Sequence, residues 1–227
     1  IVQPFLTQQL GIFSKHEITQ EILENFIKKI PYYSYELHLN DKNAYPEIAP
    51  LPNYVLYLNK TYEQLAKKFS KNTLRNIEKA SKLLQKVSEN TDIAQFLEFY
   101  TSTATHLKKS QIHLINKVLR IAVEKNEVQL FSVKNSDNQI IASLALLTIP
   151  TRMIYFLPAS SSEGKKSYSM FLLVDFIIKK HAGEKKIFDF EGSAIEGIAR
   201  FYKGFGAENK PYYSLKRFRP SFLVGKF

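Results

Sequence analysis

Residues 128–158 read VQLFSVKNSDNQIIASLALLTIPTRMIYFLP, and the fold turns on this stretch. Three runs, 128–134, 139–149 and 153–158, are strand-length and rich in β-branched and aromatic residues. Asn135 to Asn138 separates the first two runs, and Pro150 to Arg152 separates the last two; both separators carry turn chemistry. Connections this short join antiparallel neighbours, so the stretch predicts a three-stranded meander. Its middle run, 140–149, is the longest apolar candidate in the chain. It falls well short of the roughly 18 residues that a membrane-spanning helix needs.

Working outward, a polar loop over 159–167 leads to a helix over 168–181 that Gly183 ends. A strand over 186–190, a helix over 195–203 and a last strand over 211–217 follow. Upstream of the meander, 85–89 reads as a short strand, and 92–109 and 112–126 read as two helices with continuous apolar stripes. The order predicts an α/β (α+β) fold whose mixed, mostly antiparallel, twisted sheet carries helices on both faces. Further upstream, 1–14 reads as strand. A helix over 15–29 is capped by Ser14, carries Ile18, Ile22, Leu23, Phe26 and Ile30 on one side, and is stopped by Pro31. Tyr33, Tyr35, Leu37 and Leu39 alternate along a strand over 32–39. A turn-rich stretch with Pro46, Pro50 and Pro52 precedes a strand over 54–58. Thr61 opens a helix to 69, and Ser70 or Asn72 caps another to 84. The element order of 1–58 echoes the back half of the later unit. The expectation is therefore the rear part of a first domain over 1–84 and a complete second domain over 85–227, with the front of the first domain lying before Ile1.

Composition bounds the chemistry. The chain has 227 residues, 44% of them hydrophobic, with 17 Phe and 13 Tyr, enough for a real core. It has no cysteine, which excludes disulfides, thiolate metal sites, iron–sulfur clusters and cysteine nucleophiles and fits a cytoplasmic setting. None of the five histidines has metal-ligand spacing with a carboxylate, so no metal is expected. The absence of Gly-x-Ser-x-Gly and Gly-x-Gly-x-x-Gly argues against an ordinary serine hydrolase and a dinucleotide fold.

The formal net charge is +11, and it is concentrated. Residues 60–86 hold eight basic groups against two acidic, and 203–226 hold six against one. Lys68, Lys71, Arg75, Lys79, Lys82 and Lys86 recur at steps of three and four, which on a helix makes one basic stripe. Leu74, Ile77 and Leu84 are expected on the face that docks the helix. Such a stripe is either a solvated helix face or a site for an anionic partner: phosphate groups, nucleic acid or a membrane surface. Near the end, Tyr212, Tyr213, Lys216, Arg217, Phe218 and Arg219 interleave rings with cations, a pattern that can stack bases and hold phosphates.

Three strings carry a family likeness. Phe201-Tyr202-Lys203-Gly204-Phe205-Gly206 resembles the tyrosine–basic–glycine–phenylalanine signature near the end of the GNAT acyltransferase fold. Phe188-Asp189-Phe190-Glu191-Gly192-Ser193 and the segment from Asn72 to Ala80 look like the Fem-type branch of that superfamily. The resemblance implies two GNAT-like domains and transfer of an aminoacyl or acetyl group to an amine, with a cell-wall precursor as one acceptor class. The implied donor is a substrate, acyl-CoA or aminoacyl-tRNA, with no tightly bound cofactor; the acceptor is an anionic amine. The alternatives are a conventional CoA-dependent N-acetyltransferase of a small amine and a non-catalytic module that binds anionic polymer or membrane lipid. The sequence departs from the usual CoA pattern at one place. Where a glycine-paired pyrophosphate loop is the rule, it has Ser160-Ser161-Ser162-Glu163-Gly164-Lys165-Lys166-Ser167.

The resemblance assigns roles residue by residue. Tyr202 stands where a tyrosine acid is expected, though its spacing with Ile198, Phe201 and Phe205 is also that of a helix core face. Asp189 and Glu191 share strand parity, and either can serve as base; the bland alternative is that Glu191 caps the next helix or pairs with Lys203 or Arg200. Backbone amides at Phe156 and Leu157, near the end of the fourth strand, are the candidates to polarise the acyl carbonyl. Ser160, Gly164, Lys165 and Lys166 are candidates for the donor phosphates. Arg75, Lys79, Lys82 and Lys203 are candidates to hold an anionic donor or acceptor.

Overall fold

The computed structural model describes residues 3–44, 48, 50–89, 92–192 and 195–218. In chain order the elements are α1 (Gln20–Lys28), β1 (Tyr35–Leu39), β2 (Pro50–Leu51), β3 (Tyr54–Tyr57), α2 (Tyr62–Ala66) and α3 (Lys71–Lys82). Then come β4 (Lys86–Glu89), α4 (Ile93–Thr103), α5 (Lys109–Glu124), β5 (Val128–Lys134), β6 (Ile140–Ile149) and β7 (Arg152–Ser160). The last are α6 (Ser162–Lys166), α7 (Ser169–His181), β8 (Ile187–Asp189), α8 (Glu196–Gly204), β9 (Glu208–Asn209) and β10 (Tyr212–Arg217). Ile1, Pro46, Ser193, Arg219 and Lys226, which entered the sequence reading, lie outside the described residues.

These elements form two compact units. The larger runs from Tyr54 to Glu191 and from Ile195 to Glu208; the smaller takes residues up to 53 and from 209 onward, with Gly192. The units therefore do not part at 84/85. Residues 54–84 belong with the larger unit because β3 pairs antiparallel with β8, and the last strand belongs with the smaller because β10 pairs antiparallel with β1.

The larger unit is a mixed sheet of order β4-β5-β6-β7-β8-β3-β9. The meander β5–β6–β7 is antiparallel as expected, and β7–β8 is the parallel pair. Helices cover both faces. Phe131, Val133, Leu144, Leu146, Met153 and Tyr155 pack in one core with Leu173, Val174, Ile177 and Ile178 of α7. Residues of the opposite parity, among them Leu130, Ser132 and Ala145, are buried on the face where α4 and α5 lie. Sequence caps start these helices: Thr61 makes a capping box on α2, Ser70 Oγ accepts from the Thr73 amide on α3, and Asp92 accepts from the Gln95 amide on α4.

In the smaller unit β10 lies between β1 and β2. Residues 3–14 are irregular apart from a parallel bridge from Leu10 to Leu39, so the strand expected over 1–14 is not formed among the described residues. Helix α1 starts at Gln20, five residues later than expected, because Thr19 and not Ser14 supplies the capping oxygen.

Two further expectations are corrected. Helix α3 does not dock through Leu74 and Leu84, which are 45% and 86% exposed. It docks through Thr73, Asn76 and Ala80, with Ile77 against the core, because a helix packed against other helices approaches most closely through small side chains. The polar segment after β7 is also not all loop. Ser161 caps the short helix α6, and Gly164 lets it lie against β6, since a Cβ there would come within 2.0 Å of the Ile141 carbonyl oxygen.

Candidate active site

The site is built where two neighbouring strands stop matching. Strand β8 ends at Asp189, opposite Ile154, whereas β7 continues for six residues to Ser160. Along its other edge β7 carries a bulge: Leu146 pairs with Tyr155 and Ala145 with Leu157, leaving Phe156 as the extra residue. A bulge bends a strand and reverses which face successive side chains take. Tyr155 thus stays in the core on the α7 side, while Leu157, 2% exposed, turns to the other face. The two positions expected to offer backbone amides, Phe156 and Leu157, are the bulge and the residue after it.

Between the last residues of β7 and helices α6, α7 and α8 lies a pocket of about 380 Å³, which Phe156, Leu157, Asp189 and Glu191 do not line. Its wall is largely apolar and aromatic, with Tyr155, Pro158, Tyr168, Phe171, Phe201 and Tyr202 prominent. Of the candidates for the donor, Ser160, Gly164 and Lys165 line it, whereas Lys166 is exposed and does not. Tyr202 projects from α8 into a nest of rings, with centroids 4.9 Å from Phe190, 5.8 Å from Tyr155 and 6.1 Å from Tyr54. Tyr202 thus lies on the core face of its helix and at the same time on the pocket wall. Burial, then the charges of Glu191 and Asp189, push its phenol well above the usual tyrosine range, so it stays protonated. No hydrogen bond joins its hydroxyl to another described residue.

The two carboxylates differ sharply. Asp189 is 2% exposed, forms an ion pair with Arg152, and accepts the Glu191 amide at 2.9 Å. Glu191 follows the strand end in a left-handed conformation, φ 61°. No ion pair or hydrogen bond reaches its carboxyl among the described residues. Arg200, named as a partner for Glu191, pairs instead with Glu196, and Lys203 lies over the Tyr54 ring at 5.4 Å. Burial, reinforced by the charge of Asp189, raises the Glu191 pKa to about 7. Tyr168, on the pocket wall, is also left-handed, φ 58°. Left-handed backbone at bulky residues is costly and gathers at functional sites.

The basic stripe is not gathered into one site. Lys79 stands 5.5 Å over the Tyr168 ring, at the edge of the pocket, while Lys82 is paired with Glu78 and Arg75 bonds Asn72. Sequence reasoning missed Arg152, Tyr155 and Tyr168. The arginine did leave a signal, a lone cation at the head of an apolar strand; the two tyrosines did not stand out from the other eleven. Among the described residues no three His, Asp or Glu groups come together as a metal site, and no helix is long and apolar enough to cross a membrane.

No protein-family model and no curated protein matches the sequence. Solved structures do match in fold. FemX superposes with a TM-score of 0.62 at 12% identity, covering 88% of this chain and 76% of that one. The C-terminal domain (DUF2156) of a putative lysylphosphatidylglycerol synthetase from Agrobacterium fabrum gives 0.59 at 8% identity, covering 90% and 76%. A GCN5-related N-acetyltransferase from Kribbella flavida gives 0.50 at 12% identity, covering 90% and 75%. The chain thus has the GNAT fold, as the strings around Tyr202 and Glu191 implied.

Proposed function

We propose that the protein is an acyltransferase that moves an aminoacyl or acetyl group from an activated carrier onto an amine. One observation carries this reading. A pocket between the end of β7 and helices α6, α7 and α8 is walled by Tyr202, a phenol kept protonated, and Glu191, outside the pocket lining but near enough for its charge to act on that phenol, has a pKa near 7. A base whose pKa lies near the working pH suits removal of a proton from an attacking amine. A phenol that is protonated at rest has a proton to give as negative charge builds on the leaving atom.

In the proposed reaction the amine nitrogen attacks the acyl carbonyl as Glu191 takes its proton. Backbone amides at the Phe156 bulge hold the negative charge that develops on oxygen. The bond from carbon to the leaving sulfur or oxygen then breaks, and Tyr202 supplies that atom's proton. Return of a proton from Glu191 to Tyr202, through solvent, restores the site. Asp189 is a positioning residue here: tied to Arg152, it orients the Glu191 backbone and keeps the Glu191 pKa high.

The donor is a carrier with phosphates, held by Ser160, Gly164 and Lys165, with Lys79 at the rim and Lys166 and Lys203 further out. Aminoacyl-tRNA and acyl-CoA both qualify. FemX and the N-acetyltransferase from Kribbella flavida share the fold, and the serine- and lysine-rich segment in place of a glycine pair favours the tRNA carrier. A cytoplasmic setting and a cell-wall precursor as acceptor extend the same reading.

The test is a transfer assay with labelled acetyl-CoA and labelled aminoacyl-tRNA as separate donors, beside melting shifts with CoA esters and gel shifts with tRNA at two salt concentrations. Turnover with one donor, abolished in Tyr202→Phe and Glu191→Gln proteins that still fold, is the expected result. Binding of either carrier with no turnover, unchanged in both variants, would overturn the reading in favour of a non-catalytic module.

A further inference from the structure

Away from the acyl pocket, at the edge of the same sheet, the chain between α3 and β4 leaves two leucines in water. Leu83 is 47% exposed and Leu84 86%. Leu83 is the C-cap of α3 and leaves the helix in extended conformation. The segment is not frayed. The Gln85 amide bonds the Leu83 carbonyl, and the Gln85 side chain donates to the Ala80 and Ser167 carbonyls and accepts from Ser169 Oγ at 2.6 Å. The leucines are therefore held outward by an anchored neighbour.

Beside them is a cleft of about 490 Å³ lined by Leu84, Gln85, Lys86, Lys134, Asn135, Ser136 and Asn138, with no acid on its wall. Register sets Lys86 directly opposite Lys134 on the antiparallel pair β4–β5. Like charges so placed repel, and neither lysine makes an ion pair among the described residues. An irregularity between Val133 and Lys134 re-aims the second lysine. The acids nearest in the chain do not line the cleft: Glu78 holds Lys82, Glu163 accepts from Asn135 Nδ2, and Asp137 is an exposed turn residue. Two outward leucines beside two unpaired, facing cations match a bilayer surface of anionic phospholipid, which offers acyl chains beneath and phosphates above.

We propose that Leu83, Leu84, Lys86 and Lys134 form a peripheral docking surface for an anionic lipid bilayer. The phosphates of the headgroups sit between the two lysines, and the leucines enter the headgroup boundary. The surface is independent of the chemistry proposed for the pocket. Because Gln85 fastens Ser167 and Ser169 on either side of the pocket residue Tyr168, docking would present the pocket next to the membrane.

The experiment is co-sedimentation of the full chain with vesicles of phosphatidylcholine alone and of phosphatidylcholine mixed with phosphatidylglycerol, at low and high salt. Binding to the mixed vesicles only, weakened by salt, is expected. Lys86→Gln and Lys134→Gln should each lower the partition coefficient about fivefold, the factor for one basic residue near an anionic surface. Leu84→Ser should lower it about tenfold, since part of a leucine's transfer free energy is lost. All three positions lie at the surface, so circular dichroism should match the parent. Equal binding to both vesicle types, or no loss in the three variants, overturns the proposal. So does protection of Lys86 and Lys134 by inorganic phosphate without vesicle binding, which would make this a small-anion site. A short RNA bound with the same variant losses in the absence of vesicle binding overturns it too.

Discussion

Replacing Glu191 with glutamine removes a carboxyl that has no partner among the described residues and lies close to the buried charge of Asp189. The folded-state pKa, about 7, stands above the unfolded value near 4.5. In that window the folded chain binds more protons than the unfolded chain, so stability falls as pH rises from about 4.5 to about 7. A shift of that size corresponds to about 3 kcal/mol at most, because the side chain is only part-enclosed and water screens some of the penalty. Glutamine, uncharged at every pH, resembles the protonated acid. At about pH 5 the two proteins should melt close together. At about pH 8.5 the variant should be the more stable by up to about 3 kcal/mol, or roughly 6–12 °C for a chain of this length. Over the same range its transfer rate should drop by about 10²–10⁴ for want of a base. Gain of stability with loss of activity, appearing only above neutral pH, is the signature of a strained catalytic carboxylate. Calorimetry at the two pH values beside the transfer assay reads both. A melting difference that does not change with pH, or a variant less stable at high pH, would refute the reasoning about Glu191.

Other perturbations follow from the same geometry. Tyr202→Phe should keep the unfolding free energy within about 1 kcal/mol of the parent, because no described residue bonds the hydroxyl, while turnover falls; a large loss of stability would assign that hydroxyl a structural role instead. The proposed transfer by the parent protein should speed up with pH through about 7 as Glu191 ionises, and a profile flat from pH 5 to 8.5 would exclude it as base. Arg152→Met should cost about 3 kcal/mol, since it leaves Asp189 charged and almost fully enclosed without its cation; chemical denaturation reads the loss. Gly164→Ala should cost about 1–3 kcal/mol and weaken donor binding, because its Cβ would press on the Ile141 carbonyl and push α6 off β6.

What the sequence alone determined is local in origin. The runs 128–134 and 139–149 could only be strands, because β-branched residues bounded by turn chemistry have little other use. Thr61, and Ser70 with Asn72 as its alternative, announced their helices, because a capping oxygen satisfies orphan amides within a few residues. The string around Tyr202 marked the fold because its residues are adjacent in the chain. What only the tertiary structure decided depends on partners far apart in sequence. Thr19 outcompeted Ser14 as a cap, and small residues rather than leucines docked α3, because the neighbour's shape chooses the face. The last strand went to Tyr35–Leu39 through pairing that no local pattern encodes. The different surroundings of Asp189 and Glu191, equal by parity, come from Arg152 thirty-seven positions upstream of Asp189 and from a backbone turned left-handed at Glu191. Charge and burial are properties of the assembled neighbourhood, so the chemistry of a carboxylate is fixed only when its surroundings are.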